Sequence, residues 1–387
     1  MEGFIFDLSI LLVGAALLSY VAVLLKQPII IAYIICGVLI GPWGIGVVKN
    51  VEFIETISHL GITLLLFLAG LCLHPEKLFS LFKRTSLVTL ANCIVSFFIA
   101  FLFSLIFRFS MLDSLCIGLA LMFSSTILAV KLLPTTRLHH EHMGAVCIGV
   151  LILEDLLAVV VLVFIRCLNY PQGALVNFGF LLIRLCIFIA GLVLFEQFIL
   201  RKIMRYVDRL HETLFILGLA WCFGIAAISS SMGLFLETGA FFAGVVLARQ
   251  PISLFISEKL KPLRDFFLVL FFFTLGAKLD LLVLKNIMLP ALLLAAIFIL
   301  FKPWLFSFLF RMAGETPSFA KETGFRLGQL SEFALLIAIL AFDLGHISGR
   351  ASQLIQLVTI FTFIASSYLV VFRYPTPIGT SKKLIRD

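Results

Sequence analysis

Apolar runs about as long as a bilayer core is thick follow one another along nearly the whole chain. A spanning helix needs about 20 mainly apolar residues. Charged and Pro/Gly-containing stretches bound thirteen such runs, near 7–25, 28–45, 56–73, 86–107, 112–133, 143–166, 177–200, 212–230, 234–249, 264–279, 287–310, 322–344 and 353–373. The pattern predicts an all-α polytopic membrane protein with about 13 transmembrane helices. The second and ninth runs are short and Gly-rich, which suits tilted or partly re-entrant segments. Glu2 and Asp7, rather than a basic region, precede the first run, so it is expected to stay as a helix instead of being cleaved as a signal.

Two apolar fragments recur further along. Residues 34–41 (IICGVLIG) resemble 241–248 (FFAGVVLA), aligning Gly37 with Gly244. Residues 67–73 (FLAGLCL) resemble 273–279 (FTLGAKL), aligning Gly70 with Gly276. Both alignments have nearly one offset, and they relate runs seven crossings apart. Seven is odd, so the second copy must be upside down in the membrane, as in many secondary transporters. The expected division is inverted repeats at about 7–166 and 212–373, with 177–200 as a linker helix and 374–387 as a short cytoplasmic tail. The same offset brings Ser125 to Glu332. Both lie in runs interrupted by polar residues, 123–126 (FSST) and 328–332 (GQLSE). Consecutive polar residues at membrane depth predict two discontinuous, crossing helices whose free amides and carbonyls line a cavity.

Composition supports the bilayer reading and adds orientation. Hydrophobic residues make up 62% of the chain and charged ones 13%, with a mean hydropathy of +1.19. A soluble domain carries about a quarter charged residues. The formal net charge of +8 comes from short loops, so it reads as a topology signal and not as a nucleic-acid surface. Nineteen of the 29 basic residues fall on the side of the carboxyl terminus and six on the other. This places the carboxyl terminus in the cytoplasm and the amino terminus outside. Of the eight cysteines, Cys36, Cys72, Cys93, Cys116, Cys147 and Cys186 sit in apolar runs with no metal-ligand spacing, and they read as packing residues.

Ionisable residues at membrane depth are costly and mark ion or proton pathways. Glu154 and Asp155 lie in 148–163 (IGVLILEDLLAVVVLV), near the centre of the sixth run. Two adjacent carboxylates at low dielectric repel each other and resist ionising together. The pair can hold a proton or a desolvated cation and is strained when it holds neither. That competition is what an exchanger needs. Side chains of adjacent helical residues point about 100° apart, so one acid can face the cavity while the other meets a partner. Lys302, in 297–308 (IFILFKPWLFSF), is the candidate partner of Asp155 or Glu154. Arg326 and Glu332 share the twelfth run as a candidate ion pair. Arg184 has no evident partner. His139, His140 and His142, with Glu141, read as a solvated cytoplasmic loop.

Six motifs occur in order: GPWGIG (41–46), LLLFLAGLCL (64–73), SSTILAVKLLP (124–134), LEDLLA (153–158), GAFFAGVVLA (239–248) and GQLSEFALL (328–336). Together they resemble the monovalent cation:proton antiporter-2 family, which includes Kef-type potassium efflux systems and NapA-type sodium/proton antiporters. The resemblance implies an NhaA/NapA-like fold with a dimerisation domain and a mobile core domain. It implies cation and proton binding at Asp155, Glu154, Thr126 and Ser125, with Lys302, Glu332 and Gln329 as salt-bridge or crossing-helix support; Arg326, from its place in the twelfth run, is read as structural support. Glu154 departs from the pattern, since Kef-type members carry Gln there and NapA-type members Asp. Kef-type members also continue into a cytosolic nucleotide-binding domain. The sequence stops at 387, so either the protein lacks that domain or the sequence ends short of it, and a regulatory domain or subunit outside this chain stays open.

The function these readings imply is secondary active exchange of potassium or sodium for protons by a homodimer embedded in lipid, in the inner membrane of a bacterium. No cofactor, metal centre or enzymatic activity is expected. A channel-like efflux protein on the same scaffold, or a carrier of another solute, remains open on the sequence alone.

Overall fold

The computed structural model describes residues 2–25, 27, 29–48, 51–71, 75–133, 142–168, 174–202, 211–250, 252–279 and 281–376. Every regular element among them is helical. The chain forms α1 (Glu2–Leu24), α2 (Ile29–Ile40), α3 (Val51–Leu71), α4 (Pro75–Ile106), α5 (Met111–Leu121), α6 (Thr126–Leu132) and α7 (His142–Cys167). It continues through α8 (Ala174–Phe195), which runs into a π-turn at Glu196–Leu200, and then α9 (His211–Ser231), α10 (Leu236–Leu247) and α11 (Ser253–Ala277). The last elements are α12 (Leu281–Met312), α13 (Pro317–Leu327), α14 (Glu332–Asp343) and α15 (Gly349–Arg373). Seven of these are long and apolar enough to cross a membrane, and α2, α5 and α10 are shorter apolar helices.

Leu17, Tyr20, Leu87, Ile106, Leu300 and Trp304 are each more than half exposed, where a soluble protein would carry charge. A helix backbone satisfies its own hydrogen bonds, so lipid can face such side chains directly.

Helix ends depart from the sequence pattern where charges suggest a loop. The tenth run was expected to start at 264, yet α11 starts at Ser253 and passes through Pro262. Glu258, Lys259, Lys261 and Asp265 are exposed along that turn, so the helix needs no break to keep them solvated. The runs 112–133 and 322–344 are each two helices. In the first, α5 ends at Leu121 and α6 starts at Thr126. In the second, α13 ends at Leu327 and α14 starts at Glu332. Ser125 caps α6 by accepting the Leu128 N–H (3.1 Å), and Ser331 caps α14 by accepting that of Phe333 (3.1 Å). A capped N-terminus inside an apolar run is a helix starting afresh. Ser124 and Leu330 join the two interruptions through one antiparallel bridge.

Element boundaries recur along the chain. Helices α4 and α12 each have 32 residues and start at 75 and 281. Helices α5 and α13 each have 11 and start at 111 and 317. Helices α6 and α14 start at 126 and 332. Helices α2 and α10, of 12 residues each, start at 29 and 236.

The helices sort into two compact units, 1–16 with 33–78 and 162–278, and 17–32 with 79–161 and 279–387. Each unit takes pieces from both halves of the chain. In the first unit, α3 packs against α10 and α11 around Leu64, Phe67, Leu185, Trp221, Ala243 and Ile256. Its tightest contacts involve four glycines. A Cβ on Gly37 would collide with the Phe273 carbonyl, and one on Gly276 with that of Ile34. A Cβ on Gly70 would collide with the Phe241 carbonyl, and one on Gly244 with that of Phe67. The two sets correspond residue for residue at the interval that relates the helices, and only a missing side chain lets the backbones meet. In the second unit, α12 packs on α13 and α15, and α14 packs on α15 and α5. Val88, Ala129, Val146, Leu151, Phe306 and Leu327 form part of its core.

Candidate functional site

The residues singled out in the sequence converge in the second unit, around the interruption between α5 and α6. Helix α5 presents carbonyls at its C-terminal end, and α6 presents amides at its start. Free helix termini of this kind carry partial charge, negative at the carbonyl end and positive at the amide end. At membrane depth the partners must come from the protein.

Lys302, ten residues before the end of α12, is fully buried. Its ammonium donates to the carbonyl oxygens of Phe123 (2.6 Å) and Met122 (3.4 Å). Glu154, from α7, is also fully buried. Its Oε2 accepts the Ser124 N–H (2.6 Å), and its Oε1 accepts from Asn92 Nδ2 (3.1 Å) and the Ser124 hydroxyl (3.4 Å). The Phe123 carbonyl and the Ser124 N–H belong to one peptide group, so a cation holds one end of that peptide and an anion holds the other. The expectation that Lys302 would pair directly with a carboxylate is therefore corrected. Its ammonium meets backbone carbonyls at a helix C-terminus, a position that favours positive charge.

Asp155 differs from its neighbour. It is 95% buried (5% relative exposure), and the Thr126 hydroxyl lies 3.3 and 3.4 Å from its two oxygens. These distances exceed the usual 2.5–3.0 Å for a hydroxyl donor. One hydroxyl hydrogen serves two oxygens, which leaves acceptor capacity for a cation or a proton. The carboxylates of Glu332 and Glu154 both act electrostatically on Asp155. Glu332 is the first residue of α14 and is buried, so α7, α6 and α14 all bring oxygen atoms to this region.

The remaining expected residues have structural positions. The Ser125 hydroxyl caps α6, and the Ser125 carbonyl accepts from Gln329 Nε2 (3.4 Å). Gln329 Oε1 in turn accepts from the Ser366 hydroxyl of α15 (3.1 Å), so Gln329 ties both interruptions to α15. Arg326 was expected to pair with Glu332, but it pairs with Glu322 one turn earlier (2.7 and 3.0 Å). It also donates to the carbonyls of Leu132 (2.8 Å) and Pro375 (2.9 Å). Glu322 lies on the same helix face four residues back, and Glu332 lies beyond the interruption. Arg184 does have a partner, the Met232 carbonyl (3.3 Å). His142 pairs with Glu315 (2.9 Å), whereas His139, His140 and Glu141 lie outside the described residues, as do Cys72 and the 377–387 tail. Cys36, Cys93, Cys116, Cys147, Cys186 and Cys222 are free.

Sequence reasoning passed over several polar residues. Asn92 is fully buried in α4 with Ser96 one turn along, and a polar pair at that spacing inside an apolar run was the available signal. Asp113 holds the start of α15 by accepting from the Ser348 N–H (2.8 Å) and hydroxyl (3.1 Å). In the first unit, buried Glu196 in the π-turn accepts from the Gln250 amide.

Residues 9–372 match the family described as "Sodium/hydrogen exchanger, transmembrane". The iron transporter MagA of Paramagnetospirillum magneticum is 27% identical over 365 residues, 93% of this chain and 83% of that protein. The glutathione-regulated potassium-efflux system protein KefC of Klebsiella pneumoniae is 28% identical over 366 residues, 92% of this chain and 58% of that protein. This chain thus spans little more than half the length of the potassium-efflux relative. Among solved structures, the sodium proton antiporter MjNhaP1 of Methanocaldococcus jannaschii is 16% identical with a TM-score of 0.64, and the match covers 96% of each chain. At that identity it establishes the fold.

Proposed function

We propose a mechanism on one premise: the chain belongs to the sodium/hydrogen exchanger family of transmembrane proteins. It is an integral membrane protein and a monovalent cation:proton antiporter. We assign potassium or sodium as the cation and alternating access as the mode of transport. The observation that carries this reading is Asp155, a carboxylate buried among helix termini and approached, among the described residues, by a single hydroxyl. A desolvated carboxylate with open acceptor positions binds either a proton or a hard cation. The site opened to one side binds the cation as Asp155 loses its proton. Opened to the other side, it releases the cation as Asp155 takes a proton back. Thr126 contributes a hydroxyl oxygen, and Ser125 and Gln329 hold the interruption in shape. Glu332 adds negative potential, and Arg326 braces the end of α6.

We read the architecture as thirteen membrane crossings, with α5/α6 and α13/α14 as two discontinuous helices that cross, and as two repeats of opposite topology. The recurring boundaries and the corresponding glycine contacts support the repeat. Seven crossings separate equivalent helices, which makes the copies antiparallel. We assign the amino terminus to the outside and the carboxyl terminus to the cytoplasm of a bacterial inner membrane, from the distribution of Lys and Arg. A homodimer in lipid, with a possible regulatory domain or subunit outside this chain, completes the proposal.

The test is a cation-swap assay in proteoliposomes loaded with a pH-sensitive dye, comparing sodium, potassium and lithium with and without a clamped voltage. Ferrous iron belongs in the panel because one relative is named an iron transporter. Oxygen-only ligation suits a hard alkali cation better than a softer transition metal. Addition of potassium or sodium should drive proton movement in wild type. Asp155→Asn should fold and reconstitute normally yet abolish that movement. Undiminished exchange by Asp155→Asn would overturn the assignment. Flux that persists with no counter-gradient, at rates far above carrier turnover, would mean a channel.

A further inference from the structure

We propose that Asn92, Glu154 and Lys302 form a fixed clamp on the peptide between Phe123 and Ser124, so that Glu154 carries no proton and Lys302 releases none during transport. The inference rests on the exchanger reading above and concerns how the acidic pair divides its work.

Both oxygens of Glu154 act as acceptors. Oε2 takes the Ser124 N–H, and Oε1 takes the Asn92 amide and the Ser124 hydroxyl. A proton on either oxygen would turn an acceptor toward a donor. Asn92 presents its Nδ2 to Glu154, and its Oδ1 lies 3.5 Å from the Ser96 hydroxyl. Among the described residues, Lys302 donates to carbonyl oxygens alone, at the negative end of α5. Loss of its proton would weaken both contacts in a place where water cannot replace them. The two opposite charges are fully buried and are separated by one peptide group whose dipole faces both favourably. Removing either alone would strand the other, and a stranded buried charge is the costly case. Neighbouring features hold the clamp in place. Pro303 follows Lys302 and packs against Gly324 and Gly328 of the second interrupted helix, so α12 is fixed to both interruptions. Asp155 has none of these restraints.

On this arrangement Glu154, Asn92 and Lys302 are positioning residues. They hold the unwound peptide, and with it the start of α6, in register with Asp155. The substitution of Glu154 should then change how fast the protein works without changing how many protons it moves per cation.

The experiment measures that coupling ratio in proteoliposomes, as the pH gradient that just balances an imposed gradient of potassium or sodium. The variants are Glu154→Gln, Asn92→Ala, Lys302→Met and the double variant Glu154→Gln/Lys302→Met, each with kcat, KM and melting temperature. The ratio should be the same in wild type and Glu154→Gln, with kcat severalfold lower and KM within about twofold. Asn92→Ala should share that pattern. The double variant should regain much of the melting temperature lost in Lys302→Met. A ratio lower by one proton per cation in Glu154→Gln would overturn the clamp, because Glu154 would then be a carrier. So would a tenfold rise in KM at unchanged kcat, which would make Glu154 a cation ligand. If Glu154→Gln does not fold, the double variant, which removes both charges, is read for the ratio in its place. Absence of proton-coupled flux in wild type, or its persistence in Asp155→Asn, is instead a failure of the exchanger reading.

Discussion

Asp155 and Glu154 are neighbours in sequence with opposite degrees of restraint. Glu154 accepts from an amide, a backbone N–H and a hydroxyl, while one long-range hydroxyl contact serves both oxygens of Asp155. Thr126 is therefore the sensitive point at the open carboxylate. Thr126→Val keeps the shape and removes the hydroxyl. Hydrogen bonds to charged groups contribute about 1.5–3 kcal/mol, so KM for the cation should rise on the order of tenfold with the fold intact, as read from flux kinetics and a melting curve. Arg326 lies at the other extreme, with every contact structural. It is 99% buried (1% relative exposure) and binds Glu322 and two carbonyls. Arg326→Met leaves the Glu322 carboxylate, 14% exposed, without its cation; breaking a fully buried pair costs about 3–5 kcal/mol, and partial solvation of Glu322 brings the cost below that. The substitution should lower the melting temperature in detergent, and adding Glu322→Gln should recover part of the loss.

At the scale of helices, the interruptions and the glycine contacts are the deciding features. Helix termini inside a membrane need partners, and α12 supplies Lys302 to one interruption while Pro303 packs on the other. The glycine contacts predict a matched pair of effects. Gly37→Ala and Gly244→Ala push a methyl group into corresponding backbone carbonyls, and overpacking costs about 1–3 kcal/mol. The two variants should lose similar amounts of thermal stability. Gly224→Ala in α9, where an added Cβ meets nothing within 4 Å, should be neutral or slightly stabilising, since Ala suits a helix better than Gly. Much of this level was legible in advance. The offset between Gly37 and Gly244 could be read from two short fragments. That the glycines meet across helices, Gly37 with α11 and Gly70 with α10, could not, because each contact joins residues about 170 or more positions apart.

For the whole molecule, the outward-facing apolar surface and the family place the chain in a membrane, and the orientation we propose rests on the asymmetry of Lys and Arg. A fluorescent protein fused after Asp387 should be bright in the cytoplasm, and alkaline phosphatase fused at the same place should be inactive. The reverse pattern would invert the topology. The compact units, each assembled from both halves of the chain, were not visible in the linear order of the runs.

Local physics explains what the sequence determined by itself. A charge in lipid is costly wherever its partner lies, so Glu154, Asp155 and Lys302 declared themselves within their own runs. Consecutive polar residues likewise marked where α5/α6 and α13/α14 are interrupted. Only the tertiary structure decided which charge meets which group. Lys302 reaches carbonyls some 180 residues away, Arg326 turns back to Glu322 instead of forward to Glu332, and Asn92 joins the acid it was never matched with. Partner choice depends on which helices lie side by side, and no local pattern encodes that. The acidic pair was evident from the start, but the division of labour within it came from the fold.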